Sequence, residues 1–305
     1  MEKIYILDRN GILPIEETDI YAGDRSIFFL FKKIVSGETM ERGFSPFEVM
    51  EARGLVCFKL TEHLERLFHS AEFCRIKISY SIEELSFFIA EALKNAGLKE
   101  AILRLDVVLG EEGAAEPFIF LIKIRPKKEK KPLALKTFEF SKMWPDLKIS
   151  GGYVHAQIMK RSFPDYDDIL YLARNKRGHY FTETSRGNFF VIFWYDTVGK
   201  TSGKHIVYGA ESSGILKGIT RRTLLEMDSK LSDNFIFRNN EIYCDQLKFI
   251  KEAFITSSSN RIIPVKKIDN HFLDIGNDCL GGPITRQLSV LFDAYVDEYY
   301  EKIKL

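Results

Sequence analysis

The chain has 305 residues, of which 45% are hydrophobic and 29% are charged, and its formal net charge is +1. This composition is typical of a globular protein with a sizeable core, and the length favours two domains. A nearly neutral chain lacks the electrostatic footprint of proteins that bind nucleic acid or anionic membranes, so we expect neither partner.

Cysteine usage and the apolar segments limit the protein class further. The four cysteines are widely spaced and form no CxxC pair, so we expect buried free thiols and no metal site. The N-terminus carries early charges and lacks the apolar stretch of a signal peptide, and the apolar segments are too short to span a membrane. A cytoplasmic protein is therefore expected.

The first half of the chain mixes strand and helix patterns. An Asn-Gly pair between two apolar runs predicts a β-hairpin. Apolar residues at helical spacing predict two helices, the first capped by Thr61 and the second opened by a capping box of Ser81 and Glu84. In chain order, the predicted elements are a hairpin over 4–15, helices over 61–76 and 81–97, and strands over 101–110 and 117–124.

The second half follows a charged, proline-flanked stretch. We assign residues 1–126 to an N-terminal α/β domain, 127–133 to a connector and 134–305 to a C-terminal α/β domain. The irregular mix of elements indicates an α+β (α/β) fold, not a doubly wound parallel sheet, and no dinucleotide glycine fingerprint is present. The predicted elements are helices over 151–162, 218–231 and 282–303, and strands over 168–173, 179–183, 188–193, 253–256 and 261–265.

Five short stretches of the chain carry complementary chemistry, although each alone has an ordinary structural explanation. An arginine (Arg66), a helix start after a glycine (Gly218) and a serine-rich turn containing Ser258 together suit a phosphate group. A lysine before small residues (Lys148) and a carboxylate at a strand end (Glu183) would complete what pyridoxal phosphate needs. The lysine forms a Schiff base with the cofactor's aldehyde, and the acid pairs with its pyridine nitrogen.

In the same order, these stretches resemble motifs of the fold type IV pyridoxal-phosphate enzymes, and the resemblance covers nearly the whole chain. This family includes branched-chain aminotransferases, D-amino-acid aminotransferases and aminodeoxychorismate lyases, and the lysine motif is most similar to that of the branched-chain enzymes. The resemblance implies a two-domain fold with the cofactor at the domain interface. The motifs are HLERL (63–67), KISGGY (148–153), FTETSRGNFF (181–190), LKGITR (216–221) and TSSSNRIIPV (256–265).

The resemblance also implies residue roles. Lys148 is the Schiff-base lysine of the C-terminal domain, Tyr153 lies near the cofactor's phenolic oxygen, and Glu183 meets the pyridine nitrogen. The residues implied for the phosphate are Arg66, Ile219, Thr220 and Ser258.

Several positions depart from the family pattern. The segment 31–48 is longer than usual and differs from it, apart from Phe47-Glu48. Gly152 stands where an asparagine is common, and Arg186 stands where a small residue is usual. Since these regions help to shape substrate binding, the cofactor is predicted more firmly than the substrate.

The resemblance favours an aminotransferase that acts on branched-chain or similar apolar amino acids with 2-oxo acids, as a homodimer. Arg104 and Arg186 are candidates for holding a substrate carboxylate. A lyase or a D-amino-acid aminotransferase is the alternative within the family. A non-catalytic protein that binds pyridoxal phosphate, or serves as a scaffold, is the alternative from another class.

Overall fold

The computed structural model forms two compact units, which are described separately. One comprises Met1–Lys128 and Leu147–Gly152, and the other comprises Glu129–Asp146 and Tyr153–Leu305. The structure describes residues 2–8, 11–15, 43–109, 118–196, 203–211, 213–227, 234–276 and 280–303.

The first unit is built on an antiparallel sheet covered by two helices. Its elements are β1 (Lys3–Asp8), β2 (Gly11–Ile15), β3 (Phe47–Arg53), β4 (Val56–Cys57), α1 (Leu60–Phe73), α2 (Ile82–Ala96), β5 (Glu100–Leu109) and β6 (Phe118–Pro126). The strand order is β2-β1-β6-β5-β3-β4. The pairing of β1 with β2 confirms the predicted hairpin. Apolar residues of both helices form one core with the sheet.

The two helices show how local sequence sets helix ends. In α2, Ser81 Oγ accepts a hydrogen bond from the backbone N–H of Glu84, and Glu84 Oε2 accepts one from the N–H of Ser81 at 2.7 Å. This confirms the predicted capping box. The prediction of Thr61 as the cap of α1 is wrong, because that helix begins at Leu60 after Lys59 in a left-handed conformation (φ 56°).

The second unit contains a mixed sheet of parallel and antiparallel strands, in which an additional pairing joins two strands that are not neighbours in the main order. Its strands are β7 (Leu133–Glu139), β8 (Asp168–Asn175), β9 (Gly178–Thr184), β10 (Asn188–Phe193), β11 (His205–Ala210), β12 (Phe235–Asn240), β13 (Ile242–Tyr243), β14 (Ile250–Ser257), β15 (Arg261–Ile268) and β16 (His271–Phe272). The order is β12-β11-β10-β14-β15-β7-β8-β9-β13, with β16 beside β15. Asn188 of β10 also pairs with Glu183 of β9. The end of β9 is therefore tied to the strand that follows it.

The helices of this unit are α3 (Val154–Ser162), α4 (Ile219–Glu226) and α5 (Pro283–Ile303). A 3-10 turn over Ser150–Tyr153 precedes α3, so the helix predicted from residue 151 starts as a tighter turn. No helix in the described ranges is both long enough and apolar enough to cross a membrane. Cys57 is a buried free thiol, as predicted, whereas Cys74 and Cys244 are free thiols that are only partly buried. Cys279 lies outside the described residues.

The start of α5 is held by a buried carboxylate on β14. Glu252 is fully buried and accepts hydrogen bonds from the backbone N–H groups of Ile284 at 3.2 Å and Thr285 at 2.8 Å. These are donors that a helix N-terminus leaves without an intrahelical partner. A Cβ at Gly282 would lie 2.3 Å from Glu252 Cδ, so only glycine allows this close approach.

We expect Glu252→Ala to lower the free energy of unfolding by about 2 kcal/mol or more, because it removes the cap and leaves two buried donors unsatisfied. Urea denaturation at pH 7 measures the change. Glu226→Ala is the matched control, since Glu226 is exposed on α4 and its loss should change stability by less than about 0.5 kcal/mol. Equal effects of the two substitutions would contradict this role for Glu252.

Candidate active site

The segment that contains Lys148 is joined to the first unit by backbone hydrogen bonds. The N–H of Phe47 donates to the carbonyl of Lys148 at 2.9 Å, and the N–H of Ser150 donates to the carbonyl of Ser45 at 2.8 Å. Gly151 donates to the carbonyl of Gly43 at 2.7 Å. Gly43 has a φ of +66°, a left-handed conformation that favours glycine, and a Cβ there would make an ordinary contact of 3.4 Å with the Cα of Gly151.

The side chain of Lys148 lies against an aromatic ring. Its Nζ is 4.8 Å from the ring centroid of Phe47. The guanidinium carbon of Arg104 lies 4.0 Å from the same ring, and Arg104 also forms a two-pronged ion pair with Asp106. The backbone N–H of Lys148 donates to Ser70 Oγ on α1 at 3.3 Å. The structure thus places Lys148 and Arg104 next to one aromatic side chain.

Arg66 is oriented by the fully buried carboxylate of Glu48, at the start of β3. Arg66 Nε donates to Oε1 at 2.6 Å, and Nη2 donates to Oε2 at 2.8 Å. His63 Nδ1 lies 2.7 Å from Oε2. Since a carboxylate only accepts, this contact makes Nδ1 the protonated nitrogen. One carboxylate therefore fixes both the arginine and the histidine of the HLERL motif.

Burial and the neighbouring side chains determine the charges of this cluster. Burial acts to raise the pKa of Glu48, but Arg66 and His63 outweigh it and hold that pKa well below its usual range. Burial lowers the pKa of His63, which Glu48 opposes, while the positive charges of Arg66 and Lys148 lower it further. The site thus contains an ionised carboxylate with a neutral imidazole, and Arg66 and Lys148 both lie within electrostatic reach of His63.

In the second unit, Glu183 lies buried at the end of β9 with only 2% of its surface exposed. Its Oε2 accepts a hydrogen bond from the N–H of Leu216 at 3.1 Å, and Asn188 Nδ2 lies 3.4 Å from the same oxygen. Asn188 Nδ2 also donates to the carbonyl of Leu216 at 2.8 Å. Lys142 Nζ lies 2.6 Å from Oε1. The strand-end carboxylate is therefore held from three sides.

The same contacts bring the start of α4 next to Glu183. Gly218 precedes the helix, and a Cβ there would lie 2.1 Å from Asn188 Oδ1. Ile219 and Thr220 are buried in the first turn, and no side chain caps that turn within the described part of the chain. Its N–H groups and the helix dipole therefore favour an anion.

The serine-rich turn lies beside these residues through strand pairing. Thr256 pairs with Asn188 across β14 and β10, and Ser258 follows two residues later. Thr256 Oγ1 is buried and has no hydrogen-bond partner in the described ranges. Among the described residues, the hydrogen bonds and strand pairings thus bring Glu183, the start of α4 and this turn together within one unit.

Two further predicted residues lie in the second unit. The ring of Tyr153 has Lys142 Nζ 4.7 Å from its centroid, which places Tyr153 close to Glu183. The guanidinium of Arg186 donates to the carbonyl of Asp167 at 2.6 Å, and its Nε lies 3.5 Å from a carboxylate oxygen of Asp168. Arg186 therefore binds the loop before β8.

The structure adds residues that the sequence alone did not single out. Glu48 was recognised only as part of a familiar Phe-Glu pair, and Asn188 only as the first residue of a predicted strand within the FTETSRGNFF motif. Lys142 lies outside the recognised motifs, and it is brought next to Glu183 by the folding of the chain. Two surface cavities of about 370 and 320 Å³, lined by residues 68–78 and by side chains around His179, contain none of the predicted site residues.

With this geometry described, comparison with known proteins defines the family. The chain matches the sequence model of the Amino-transferase class IV family over residues 45–268 and belongs to that family. This class consists of pyridoxal-phosphate-dependent aminotransferases and related enzymes, which agrees with the fold, enzyme class and cofactor expected from the motifs.

Individual relatives are distant. A branched-chain-amino-acid aminotransferase of Pseudomonas aeruginosa is 24% identical over 280 residues, or 85% of each chain. A D-alanine aminotransferase of Staphylococcus haemolyticus is 23% identical over 82% of this chain and 88% of its own. The T.th. branched-chain amino acid aminotransferase, solved with pyridoxamine 5'-phosphate, has a TM-score of 0.76 at 23% identity over 96% of this chain and 93% of its own. The structural match establishes the fold.

We expect Glu48→Gln to lower the free energy of unfolding at pH 7 by about 3 kcal/mol, because a neutral amide replaces the buried carboxylate that pairs with Arg66. The folded-state pKa of Glu48 is depressed, so its contribution is present above about pH 4.5 and is lost as the pH falls below that value. Denaturation curves at pH 7 and pH 3.5 should therefore show the gap between the two proteins narrowing in acid.

The matched control for this prediction is Glu65→Gln, an exposed glutamate on the same helix as Arg66, which should leave stability within about 0.5 kcal/mol. A stability gap between wild type and Glu48→Gln that stays constant from pH 7 to pH 3.5 would contradict the ionised state of Glu48.

Proposed function

We propose that this chain is an aminotransferase that moves the amino group of a branched-chain or similar apolar amino acid to a 2-oxo acid. In this proposal Lys148 is the lysine that binds pyridoxal phosphate as a Schiff base. The observation that carries the proposal is the buried Glu183, held next to an uncapped helix start in one unit. An acid for a ring nitrogen and donors for a phosphate lie together there.

The residues present fit the chemical groups of the cofactor. Glu183 suits a protonated ring nitrogen, because its oxygens are already oriented by the N–H of Leu216 and by Asn188. The start of α4 and the buried, unsatisfied Thr256 hydroxyl suit phosphate oxygens. The residues proposed to hold the phosphate are Arg66, Ile219, Thr220 and Ser258.

Each side chain then has a definite task. Bound pyridoxal phosphate supplies a ring that accepts the electron pair left when the substrate Cα–H bond breaks. Lys148 acts as the base that takes this proton and later releases it. Glu183 stabilises positive charge on the ring nitrogen, and Tyr153 neighbours the phenolic oxygen. Glu48 accepts two hydrogen bonds from Arg66, and this bidentate contact fixes the orientation of the guanidinium group.

For the substrate carboxylate, Arg104 is better supported than Arg186. Arg104 lies on the same Phe47 ring as Lys148, the proposed base. Each arginine also pairs with an aspartate, Arg104 with Asp106 and Arg186 with Asp168, so the shared ring with Lys148 is what distinguishes Arg104. The preference for branched-chain substrates is proposed from the lysine motif and from the similarity to the enzyme of Pseudomonas aeruginosa.

The proposal also includes the oligomeric state and the location of the protein. We propose that the chain forms a homodimer and acts in the cytoplasm.

The D-alanine aminotransferase among the relatives keeps a second candidate substrate class open. The lyase reaction on aminodeoxychorismate is the third, because that enzyme shares the family's motifs. All three would use the same cofactor residues, so only the substrate distinguishes them.

Lys148→Ala should abolish the visible absorbance band of the cofactor-loaded protein and lower the rate of 2-oxo acid formation by about 10²- to 10⁴-fold, since both the covalent link and the base are lost. Absorbance spectra and a coupled 2-oxo acid assay measure the two effects. Lys94→Ala, at an exposed position on α2, is the control and should change neither. A Lys148→Ala protein that keeps the band would contradict the assignment.

An amino-donor screen separates the substrate classes. In single-turnover spectra, we expect L-leucine to remove the visible band and D-alanine to leave it, because the proposed site takes apolar L-amino acids. Loss of the band with D-alanine alone would favour the D-amino-acid reaction. Release of pyruvate from aminodeoxychorismate would favour the lyase, and a cofactor-supplied wild type with no band would favour a scaffold.

A further inference from the structure

Lys142 lies beside Glu183 in the second unit, and the proposed function gives it no task. Its Nζ lies 2.6 Å from Glu183 Oε1, and the two side chains are only 8% and 3% exposed. The same nitrogen faces the rings of Tyr153 at 4.7 Å and Tyr171 at 5.6 Å. A lysine side chain is rarely buried in this way without a counter-charge.

The surroundings keep Lys142 positively charged. Burial acts to lower the pKa of its amine, but Glu183, together with Tyr153 and Asp168, outweighs burial and raises that pKa above its ordinary value. A protonated amine has no lone pair with which to attack an aldehyde. Lys142 therefore differs chemically from a Schiff-base lysine, and its role concerns the carboxylate.

The donors already at Glu183 use both of its oxygens. Oε2 faces the N–H of Leu216 and the amide of Asn188, and Oε1 faces Lys142. Leu216 and Asn188 are neutral donors fixed by the backbone and by strand pairing. Lys142 is the cation of this set and has a flexible stem. A protonated ring nitrogen that approached the same carboxylate would meet a like charge, which disfavours holding both.

We propose that Lys142 is the counter-ion of Glu183 in the cofactor-free protein and competes with the ring nitrogen of pyridoxal phosphate for this carboxylate. This inference rests on the proposed function, because it takes Glu183 as the partner of the ring nitrogen. Cofactor binding is then coupled to displacement of Lys142. Before the cofactor binds, the lysine neutralises the buried carboxylate. Because it must be displaced, it also lowers the affinity for the cofactor.

Pyridoxamine 5'-phosphate is the probe for the first test, because it binds without a covalent link to lysine. Replacing Lys142 with methionine should lower the Kd of this probe by about tenfold or more, since a competitor that occupies the carboxylate nine-tenths of the time raises the apparent Kd tenfold. The analogue with carbon in place of the ring nitrogen should bind wild type and Lys142→Met equally. Equilibrium dialysis measures both affinities.

Lys160→Met is the matched control, because Lys160 pairs at 2.9 Å with a different buried carboxylate, Asp168. It should change the affinity for neither probe. Lys142→Met with unchanged or weaker binding of pyridoxamine 5'-phosphate would overturn the competition. So would an equal gain in affinity for the two probes.

Thermal melting of the cofactor-free protein tests the ion pair without any ligand. Lys142→Met should lower the Tm of the wild type, and this drop should disappear in a Glu183→Gln background, where the carboxylate that Lys142 neutralises is absent. An equal drop in both backgrounds would overturn the pairing. A wild type that binds neither probe would overturn the proposed function and the competition with it, while the melting data would still report on the ion pair.

Discussion

A buried carboxylate at the end of β9 is the constraint on which the second unit of this protein depends. Glu183 has almost no contact with solvent, so each of its oxygens must find donors within the fold. The pairing of β9 with β10 brings Asn188 to it, and the loop before α4 supplies the N–H of Leu216. The position of Asn188 also requires a glycine at residue 218, because a side chain there would collide with Asn188.

The first unit also contains a buried carboxylate, that of Glu48, but different groups pair with it. Glu48 is also fully buried, but its partners are the fork of Arg66 and the ring of His63, both on one helix. Three directed hydrogen bonds make that cluster a rigid support. Among the residues that the structure describes, the charged partner of Glu183 is Lys142, whose side chain is flexible. One carboxylate thus serves to orient an arginine, and the other is placed where its cationic partner can be exchanged.

Much of this arrangement could be predicted from the sequence because its signals are local. The capping box of α2 and the strand of Asn188–Phe193 follow from residue patterns within one element. By contrast, β3 has no alternating pattern, and its strand Phe47–Arg53 is buried on both faces. The role of Lys142 could not be predicted in this way, since only the fold brings it to a carboxylate 41 residues away along the chain.

The small residues after Lys148 concern both the proposed site and the backbone of the first unit. Beside a Schiff-base lysine, small residues leave room for a cofactor ring. The structure adds a backbone contact of this segment, because the N–H of Gly151 donates to the carbonyl of Gly43 near the antiparallel bridge between Pro46 and Ile149. Gly152 has open space around its missing Cβ, so sterics do not explain why it replaces the usual asparagine.

The central claim is that two lysines, six residues apart, have separate tasks: Lys148 binds the cofactor covalently and Lys142 neutralises Glu183. Borohydride reduction of the cofactor-loaded protein, followed by trypsin digestion and mass spectrometry, tests this most directly. We predict a pyridoxyl group on Lys148 within an uncut peptide of residues 143–160. A pyridoxyl group on Lys142, or on neither lysine, would contradict the account.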